Sequence, residues 1–248
     1  MGKLDPYLPP TVDCRLPMAR ILITSGPTRQ YLDPVRYLTN GSSGRMGLAL
    51  TAAALAAGHQ VVVVSGSVTI DYPAAAEVIS VVSTEEMLSE CLEVFPQCDG
   101  LIAVAAPCDY RPVQVARQKI KKTGAHWLLE LVETPDIVAT LGKVKQSQWM
   151  VAFALESEDQ RLRAMQKLER KSCDLIVVNG PAAMHATDTQ VEVLDAAGQV
   201  LAAPQGAKSA VAEEIFRVIQ RRLIETRECR SQNGQASVRV RGPQRQEQ

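Results

Sequence analysis

The chain has 248 residues, of which 46% are hydrophobic and only 4% are aromatic. Its 27 basic and 27 acidic residues cancel to a formal net charge of zero, so no overall field attracts nucleic acid or an anionic membrane, and a small ligand is the expected partner. A core built from Ala, Val, Ile and Leu rather than from aromatic rings favours a sheet covered by helices, and therefore an α/β class.

In chain order, apolar and mostly β-branched runs of strand length alternate with segments of helical periodicity, which is the pattern of βα units around a parallel sheet. The predicted strands are RILITS, QVVVVS, EVISVV, DGLIAVAA, WLLELV, WMVAFAL and DLIVVN. After them, VEVLDAAGQVL predicts a hairpin that turns at Ala-Gly. These elements predict a Rossmann-like, doubly wound fold with a mainly parallel sheet and an appended β-hairpin.

The first two predicted helices have recognisable ends. The first begins near Ser43 and stops at Gly58, a residue type common at helix C-termini. The second is preceded by Ser83, with Glu86 three residues later, which is the spacing of a capping box, and it should run to about Phe95.

Three more helices are predicted in the second half of the chain. Thr134 followed by Pro135 predicts an N-cap and a first helical residue for a short helix that ends near Gly142. Ser157 with Gln160 predicts the cap of a charged helix, and AKSAVAEEIFRVIQRRL predicts a closing helix.

The two ends of the chain differ from its centre. Residues 1–18 are rich in proline and have no apolar run of signal-peptide length, so we expect an N-terminal arm. Residues 224–248 are polar, and we expect a disordered tail. Residues 19–223 contain no obvious linker or repeat and should form one domain. No segment approaches the roughly 20 apolar residues of a membrane span, so we expect no membrane partner.

The six cysteines are scattered, with no CxxC pair and no Cys/His cluster of zinc-ligand spacing. We interpret them as reduced thiols of a cytoplasmic protein and assign no residue as a metal ligand. His59, His126 and His185 lie far apart, which argues against a histidine metal site or a Ser/His/Asp triad.

The loop after the first strand, SGPTRQYLDPVRYLTNGSSGRMG, leads into a helix start that is rich in glycine and serine. Ligands of open parallel sheets bind beyond the carboxyl ends of the strands, and backbone amides at a helix N-terminus can hold phosphate. In the alternative interpretation, Ser42 or Ser43 merely caps the helix, while Gly44 and Gly47 allow close packing. The spacing leaves both open, and it matches neither a Walker A loop nor the GxGxxG fingerprint.

Further candidates follow the later strands. Asp109 could accept hydrogen bonds from a ribose or a base, and KIKK at 119–122 could meet a triphosphate, or these could be a turn residue and a solvated charge run. Lys167 and Lys171 share one helix face and could reach one phosphate chain or simply face solvent. Cys108 has no neighbouring histidine in sequence, so we interpret it as a packing residue rather than a nucleophile.

The residue types alone leave two other classes of function open. One is an NAD(P)-dependent oxidoreductase on the same fold, although the glycine spacing and the lack of a Tyr-x-x-x-Lys pair argue against it. The other is a nucleotide-binding module that senses its ligand without reacting.

Seven features in chain order carry a resemblance: ITSGPTRQYLDPVRYLTNGSSGRMG, AVAAPCDYRP, KIKK, TPDIVATLG, VAFALESE, CDLIVVN and Lys208 before the last helix. Over about residues 20–223 the chain resembles phosphopantothenate–cysteine ligase of coenzyme A biosynthesis, in the DNA/pantothenate metabolism flavoprotein C-terminal domain family. The resemblance implies ligation of 4′-phosphopantothenate to cysteine through an acyl nucleotide, with CTP or ATP and Mg²⁺, by a homodimer. It also implies a stand-alone ligase without the flavin-dependent decarboxylase half to which many relatives are fused.

The resemblance further implies roles for individual residues. Asn40 would position the acyl group, and Lys119, on a flap that carries KIKK, would serve turnover of the acyl nucleotide. The nucleotide-binding residues would be Gly26, Ser42, Ser43, Gly44, Ala103, Val104, Ala105, Asp109, Thr134, Pro135, Asp136, Ile137, Phe153, Lys167 and Lys171. Three departures from the usual family pattern, at 106–109, at Thr134 and at 177–180, leave the choice between CTP and ATP open.

Overall fold

The computed structural model describes residues 18–155, 160–179 and 188–226. Its helices are α1 (Arg45–Ala56), α2 (Thr84–Val94), α3 (Ile137–Val144), α4 (Gln160–Arg170) and α5 (Lys208–Ile219), the last continued by a π-helical turn, Gln220–Glu225. Its strands are β1 (Arg20–Ser25), β2 (Arg29–Tyr31), β3 (Tyr37–Thr39), β4 (Gln60–Ser65), β5 (Glu77–Ser80), β6 (Gly100–Ala103), β7 (Tyr110–Pro112), β8 (Leu131–Glu133), β9 (Trp149–Leu155), β10 (Leu175–Asn179), β11 (Asp188–Asp195), β12 (Val200–Ala202) and β13 (Gln205–Ala207).

The main sheet has the strand order β5-β4-β1-β6-β9-β10-β11-β12, with β13 also paired to β11. Six neighbouring strands of this sheet are parallel to one another: β5, β4, β1, β6, β9 and β10. The strands β11 and β12 are antiparallel to their neighbours. Numbered by their place in the chain, the six parallel strands lie in the order 3-2-1-4-5-6, which is the Rossmann order with its switch point between β1 and β6. The predicted doubly wound fold and the appended hairpin are therefore confirmed.

Two apolar layers cover the faces of the sheet. Alternate residues of β1 enter opposite layers because side chains of a strand alternate in direction. Leu22 packs in the layer that contains Met87 of α2, and Ile21 and Ile23 pack in the layer that contains Leu50 of α1. All five side chains are fully buried, so the carboxyl edge of the sheet is a rigid support for the loops above it.

Helix α1 begins without a side-chain cap. Its N-cap is Gly44, whose φ of 73° lies in the left-handed region that favours glycine, so capping by Ser42 or Ser43, one part of the alternative interpretation, is wrong. A Cβ atom at Gly47 would lie 2.0 Å from the hydroxyl oxygen of Ser25. Backbone conformation and the close approach of α1 to β1 therefore explain Gly44 and Gly47 without any ligand.

The other end of α1 and the start of α2 follow the sequence closely. Gly58, with φ of 87°, was predicted at the C-cap position, but the C-cap is Ala57, so α1 ends one residue earlier than predicted and Gly58 directly follows the cap. The Ser83 hydroxyl accepts a hydrogen bond from the Glu86 N–H at 3.1 Å, and the Glu86 carboxylate accepts one from the Val82 N–H at 2.8 Å. The reciprocal bonding predicted for this helix start is therefore confirmed, although Glu86 reaches one residue further back than in the usual box.

The predicted cap of α3 is wrong. Asp136, not Thr134, is the N-cap, and its carboxylate accepts a hydrogen bond from the Ala139 N–H at 3.0 Å. Thr134 lies two residues before the cap and is bonded to the loop after β6: its N–H donates to the carbonyl oxygen of Asp109 at 2.9 Å, and its hydroxyl donates to that of Cys108 at 2.6 Å. The cap predicted at Ser157 lies outside the described residues.

The run WLLELV, at 127–132, was expected to form one strand, and this is wrong in its first part. Only β8 is a strand, and it pairs with β7 in a separate antiparallel ribbon rather than in the main sheet. Trp127 and Leu128 are 53% and 93% exposed, so their apolar character does not reflect burial within this chain. Residues 113–130, between β7 and β8, include KIKK and are called the flap below.

The predicted arm and tail fall largely outside the described residues, which begin at residue 18 and end at residue 226. The predicted boundary at residue 223 falls within the π-helical turn at Gln220–Glu225. In the described part of the chain, no helix combines the length and the apolar character needed to cross a membrane. Four of the cysteines lie in that part, and all are free thiols and buried, as expected for reduced cysteines: Cys91, Cys98, Cys108 and Cys173.

Candidate functional site

A cavity of about 390 Å³ lies at the carboxyl ends of β6 and β9, beside the switch point of the sheet. The loop after β6, the segment that leads into α3 and the last turn of α4 form its walls. Ten residues to which the family resemblance gives a role in nucleotide binding line this cavity: Ala103, Ala105, Asp109, Thr134, Pro135, Asp136, Ile137, Phe153, Lys167 and Lys171. The fold thus brings together residues that are up to 68 positions apart in the chain.

The other predicted site residues do not line the cavity: Gly26, Asn40, Ser42, Ser43, Gly44, Val104 and Lys119. Val104 packs in the opposite apolar layer from Ala103, as the alternation along an extended chain requires. A Cβ atom at Gly26 or Gly44 would lie within 3.0 Å of the Val68 side chain. These two glycines therefore face the loop after β4 rather than the cavity.

Asn40 lies at the rim of the cavity. Its side-chain amide donates to the carbonyl oxygens of Pro107 at 2.8 Å and of Ala106 at 3.4 Å. Pro107 is itself part of the cavity wall. The backbone carbonyl of Asn40 accepts a hydrogen bond from the Ser42 N–H at 2.8 Å, so Asn40 joins the glycine- and serine-rich turn to the cavity edge.

A ring of hydrogen bonds fixes the backbone of the cavity wall at Cys108. The Cys108 N–H donates to the Thr28 hydroxyl at 2.8 Å, and the Thr84 hydroxyl donates to the Cys108 carbonyl at 3.2 Å. The two hydroxyl oxygens are 2.8 Å apart, and because Thr84 has only one proton to give, Thr28 must donate to Thr84. Both threonines are fully buried, and Thr134 adds a second donor to the same carbonyl. The ring therefore fixes the peptide that precedes Asp109.

The thiol of Cys108 is held in the same wall. Its sulfur atom lies 3.4 Å from the carbonyl oxygens of both Thr28 and Leu38. Burial raises the pKa of this thiol above its ordinary value, although hydrogen bonds, including one from the Asn40 N–H, act in the other direction. A protonated thiol that faces carbonyl oxygens is a poor nucleophile, which favours the packing interpretation.

An ion pair closes the α3 side of the cavity. The Lys171 ammonium group lies 2.9 Å from a carboxylate oxygen of Asp136, and Lys171 is only 8% exposed. Burial raises the pKa of the Asp136 carboxyl, but the hydrogen bonds from Lys171 and the Ala139 N–H, with nearby positive charge, bring it below its ordinary value. Lys171 is thus engaged by Asp136, and contact with a phosphate would require a change of partner.

Four polar residues of the cavity wall were missed from the sequence: Thr24, Tyr110, Glu133 and Arg170. Arg170 follows Lys167 by three positions on α4, and this helical spacing could have identified it. Tyr110 and Glu133 come from β7 and β8, directly opposite each other. Their pairing crosses the flap, so no local pattern could have revealed it.

Carboxylates are the available metal ligands at this site. The described residues contain no group of three or more His, Cys, Asp or Glu placed to share one metal ion. Asp109 and Glu133 are nevertheless carboxylate residues of the cavity lining. Such a set fits Mg²⁺ that arrives on phosphate oxygens and retains water, because Mg²⁺ commonly takes only one or two protein carboxylates in such sites.

Lys119 lies on the exposed flap and reaches the rest of the fold through its neighbour. Ile120 donates its N–H to the Asp33 carboxylate at 3.1 Å, and its carbonyl oxygen accepts from the Arg36 guanidinium at 3.0 Å. A third tie joins the Ala116 N–H to the carbonyl oxygen of Leu32 at 2.9 Å. The flap is thus fastened to the turn between β2 and β3, a few residues before Asn40.

The family model for the DNA/pantothenate metabolism flavoprotein C-terminal domain matches residues 16–223. A protein named Cysteine/Cysteine sulfinic acid decarboxylase, from an unknown prokaryotic organism, is 39% identical over 207 residues, which cover 81% of this chain and 57% of that protein. The Coenzyme A biosynthesis bifunctional protein CoaBC of Vibrio vulnificus (strain YJ016) is 38% identical over 207 residues, covering 81% of this chain and 51% of that protein.

The chain therefore spans about half the length of the curated relatives it matches. The match to a solved domain is more complete. The crystal structure of the C-terminal domain of Coenzyme A biosynthesis bifunctional protein CoaBC superposes with a TM-score of 0.72 at 35% identity, and the match covers 83% of this chain and 95% of that chain.

Proposed function

This chain belongs to the DNA/pantothenate metabolism flavoprotein C-terminal domain family, and on that premise we propose that it ligates 4′-phosphopantothenate to L-cysteine at the expense of CTP or ATP. The convergence of ten predicted nucleotide-binding residues on one cavity carries the proposal. The likeness to nearly the whole C-terminal domain of CoaBC, whose name refers to coenzyme A biosynthesis, supports it at the level of a domain.

The reaction would proceed in two steps. A carboxylate oxygen of phosphopantothenate attacks the α-phosphorus of the nucleotide, and the bond from that phosphorus to the bridging oxygen breaks, so that pyrophosphate leaves. The cysteine nitrogen then attacks the acyl carbon, the carbon–oxygen bond to the nucleotide breaks, and the nucleoside monophosphate leaves as the nitrogen loses a proton. The protein's task is to align two anions and to offset the charge that gathers on phosphate.

The proposed roles are those that the family resemblance implies, and the positions of the residues support them. Asp109 and Phe153, which line the cavity, would contact the ribose and the base, and Lys167 on α4 would contact phosphate. Asn40, at the rim, would orient the reacting carboxylate beside the α-phosphate, because its amide already faces that edge of the cavity. Lys119 would bring positive charge from the flap to the acyl nucleotide.

Mg²⁺ is the metal we propose to accompany the triphosphate. When bound, it would withdraw charge from the phosphate oxygens and make pyrophosphate a better leaving group. Asp109 and Glu133 would hold it on the protein side, and phosphate oxygens and water would complete its shell.

We also propose that the protein acts as a homodimer. The ribbon of β2 with β3 and the ribbon of β7 with β8, together with the adjacent ends of the flap, carry large apolar side chains that are at least 38% exposed: Val35, Tyr37, Tyr110, Val113, Val115, Leu131 and Val132. Exposed apolar side chains concentrated on two ribbons that are neighbours through β2 and β7 are typical of an interaction surface. Light scattering after size exclusion would measure the assembly directly.

The test is pyrophosphate release by the purified chain. With phosphopantothenate, Mg²⁺ and either CTP or ATP, we expect cysteine-dependent release of pyrophosphate in equal amount to the amide product, followed by mass spectrometry. A folded protein that releases none would refute the proposal, and tight CTP binding without turnover would indicate a sensing module instead. Release of CO₂ from cysteine without nucleotide would point to the activity for which the first relative is named.

A further inference from the structure

Asp33 is a buried carboxylate that lies outside the cavity, and its two oxygens have different partners. The side chain is 0% exposed. Oδ1 accepts hydrogen bonds from the N–H groups of Val35 at 2.8 Å and Arg36 at 2.9 Å, both within its own turn. Oδ2 accepts one from the Ile120 N–H at 3.1 Å, 87 positions away on the flap. One oxygen therefore holds the turn, and the other holds the flap.

Arg36 completes the attachment. One guanidinium nitrogen lies 3.3 Å from Asp33 Oδ2, and the other donates to the carbonyl oxygen of Ile120 at 3.0 Å. Both polar groups of Ile120 are thus bound by one ion pair. Ile120 and Ala116, which is tied to Leu32, are two of the only three flap residues that are not exposed.

We propose that Asp33 is a positioning residue for the proposed ligase reaction and sets the location of Lys119 by fixing the next residue of the flap. The inference rests on the proposed function, because Lys119 matters only if the acyl nucleotide forms. The bond to the Ile120 N–H holds the peptide unit between Lys119 and Ile120, which contains the Cα atom of Lys119. The bond to the Ile120 carbonyl oxygen holds the next peptide unit. The start of the Lys119 side chain is therefore held relative to the turn that leads to Asn40, whereas its ammonium end can still move.

The variant Asp33→Asn separates the two tasks of the carboxylate. An asparagine can keep its oxygen at the Oδ1 position for Val35 and Arg36, but it then presents an NH₂ group to the Ile120 N–H. We expect the turn to persist and the flap to detach. Trypsin should then cut within the flap, at Arg117, Lys119, Lys121 or Lys122, about ten-fold faster or more, the factor expected when one hydrogen bond to a charged group is lost.

In the ligase assay, Asp33→Asn should release pyrophosphate with an unchanged KM for the nucleotide but should convert the acyl nucleotide to product more slowly, so that the intermediate accumulates. Asp195→Asn is the matched control, since Asp195 also accepts two N–H bonds of its own turn, from Ala197 and Gln199, but touches no flap residue. Both the tryptic cleavage rate and the partition of the intermediate should stay at wild-type values in this control.

Arg36→Lys provides a second variant if Asp33→Asn does not fold. Lysine keeps the positive charge, but its single nitrogen replaces the two guanidinium nitrogens that contact Asp33 and the Ile120 carbonyl oxygen. Wild-type cleavage rates in both folded variants would overturn the attachment. Faster cleavage of the flap, with the acyl nucleotide converted to product as fast as in the wild type, would overturn the positioning role. If the wild-type chain releases no pyrophosphate, the proposed function fails, and the cleavage arm still decides whether Asp33 holds the flap.

Discussion

The cavity wall and the flap are held in place by different means. Around Cys108, buried hydroxyl groups saturate the backbone, and Thr28 and Thr84 have no exposed surface. The flap, in contrast, is exposed at every residue except 116, 120 and 129, and its described ties to the turn before Asn40 are made by Ala116 and Ile120. A wall of the first kind is already formed before a nucleotide arrives, whereas a segment of the second kind can open at small cost.

This difference suggests a division of labour in the proposed reaction. Changes in the cavity wall should act mainly on the KM for the nucleotide, because they alter a preformed surface. Changes at the rim and on the flap should act mainly on formation and turnover of the acyl nucleotide, because Asn40 and Lys119 lie outside the cavity lining. Each variant below tests one side of this division.

Asn40→Asp should give the largest effect. It replaces an amide that donates to the carbonyl oxygens of Pro107 and Ala106 with a negative group that repels both carbonyls and the attacking carboxylate. We expect kcat/KM to fall by about 10²–10³, the usual cost of losing one positioned donor at a reacting group. Stopped assays that quantify the acyl nucleotide should find almost none.

Lys119→Gln serves as the companion variant, since it should permit the first step and slow the second, so that the acyl nucleotide accumulates. Arg117→Gln, an exposed neutralisation on the same flap, controls for loss of charge alone. Equal accumulation of the acyl nucleotide in Asn40→Asp and Lys119→Gln would erase the distinction between the rim and the flap.

Thr84→Val should perturb the cavity wall with an intermediate effect. Valine fills the same volume but leaves the Thr28 hydroxyl without its acceptor and removes one donor from the Cys108 carbonyl. We expect the free energy of unfolding to fall by about 1–3 kcal/mol, as for other buried groups left unpaired. The KM for the nucleotide should rise, whereas the partition of the acyl nucleotide should not change.

Thr84→Ser should restore both the free energy of unfolding and the KM for the nucleotide, because serine again supplies the hydroxyl. Thr51→Val is the matched control, since Thr51 is equally buried but its hydroxyl bonds only the Gly47 carbonyl within α1. A Thr84→Val enzyme with a normal nucleotide KM and a changed partition would contradict the proposed division.

Elements defined by local chemistry were predictable from the sequence. The apolar runs of β1, β4, β9 and β10 and the capping box of α2 depend on neighbours within a few positions. The N-cap of α3 was misassigned because Thr134-Pro135 has the local pattern of a helix start, whereas Thr134 is bonded to Cys108, 26 residues away, and lies two positions before the N-cap Asp136. The run at 127–130 was misread because its exposed apolar side chains have the composition of a strand without the pairing.

The candidate site shows the same limit. Residue types indicated Asp109, Lys167 and Lys171 and the edge of the sheet where they lie, because parallel strands place their carboxyl ends at one edge. The other predicted residues of the cavity came from the family resemblance. The Thr28–Thr84 pair, 56 residues apart, leaves no local pattern, and neither does the bond between Asp33 and Ile120. The engagement of Lys171 by Asp136 depends on how α3 and α4 pack, which helix periodicity does not specify.

Asp136→Asn should give the smallest effect and test the cavity wall alone. Asparagine caps helices about as well as aspartate, so the variant keeps the cap of α3 and loses the ion pair with Lys171, whose value is reduced because Asp136 is 41% exposed. We expect a loss of about 1 kcal/mol in the free energy of unfolding at pH 7.

Because the folded-state pKa of Asp136 lies below its ordinary value of 3.8, the stabilisation is complete above that value and is lost as the pH falls through the folded pKa. Urea unfolding of the wild type and of Asp136→Asn should therefore differ equally at pH 6 and pH 8 and converge below about pH 4. A difference that persists undiminished in acid would mean that the ion pair is not its source. A double-mutant cycle with Lys171→Met would then separate the pair from the cap, and a coupling energy near zero would remove the ion pair from the account of the wall.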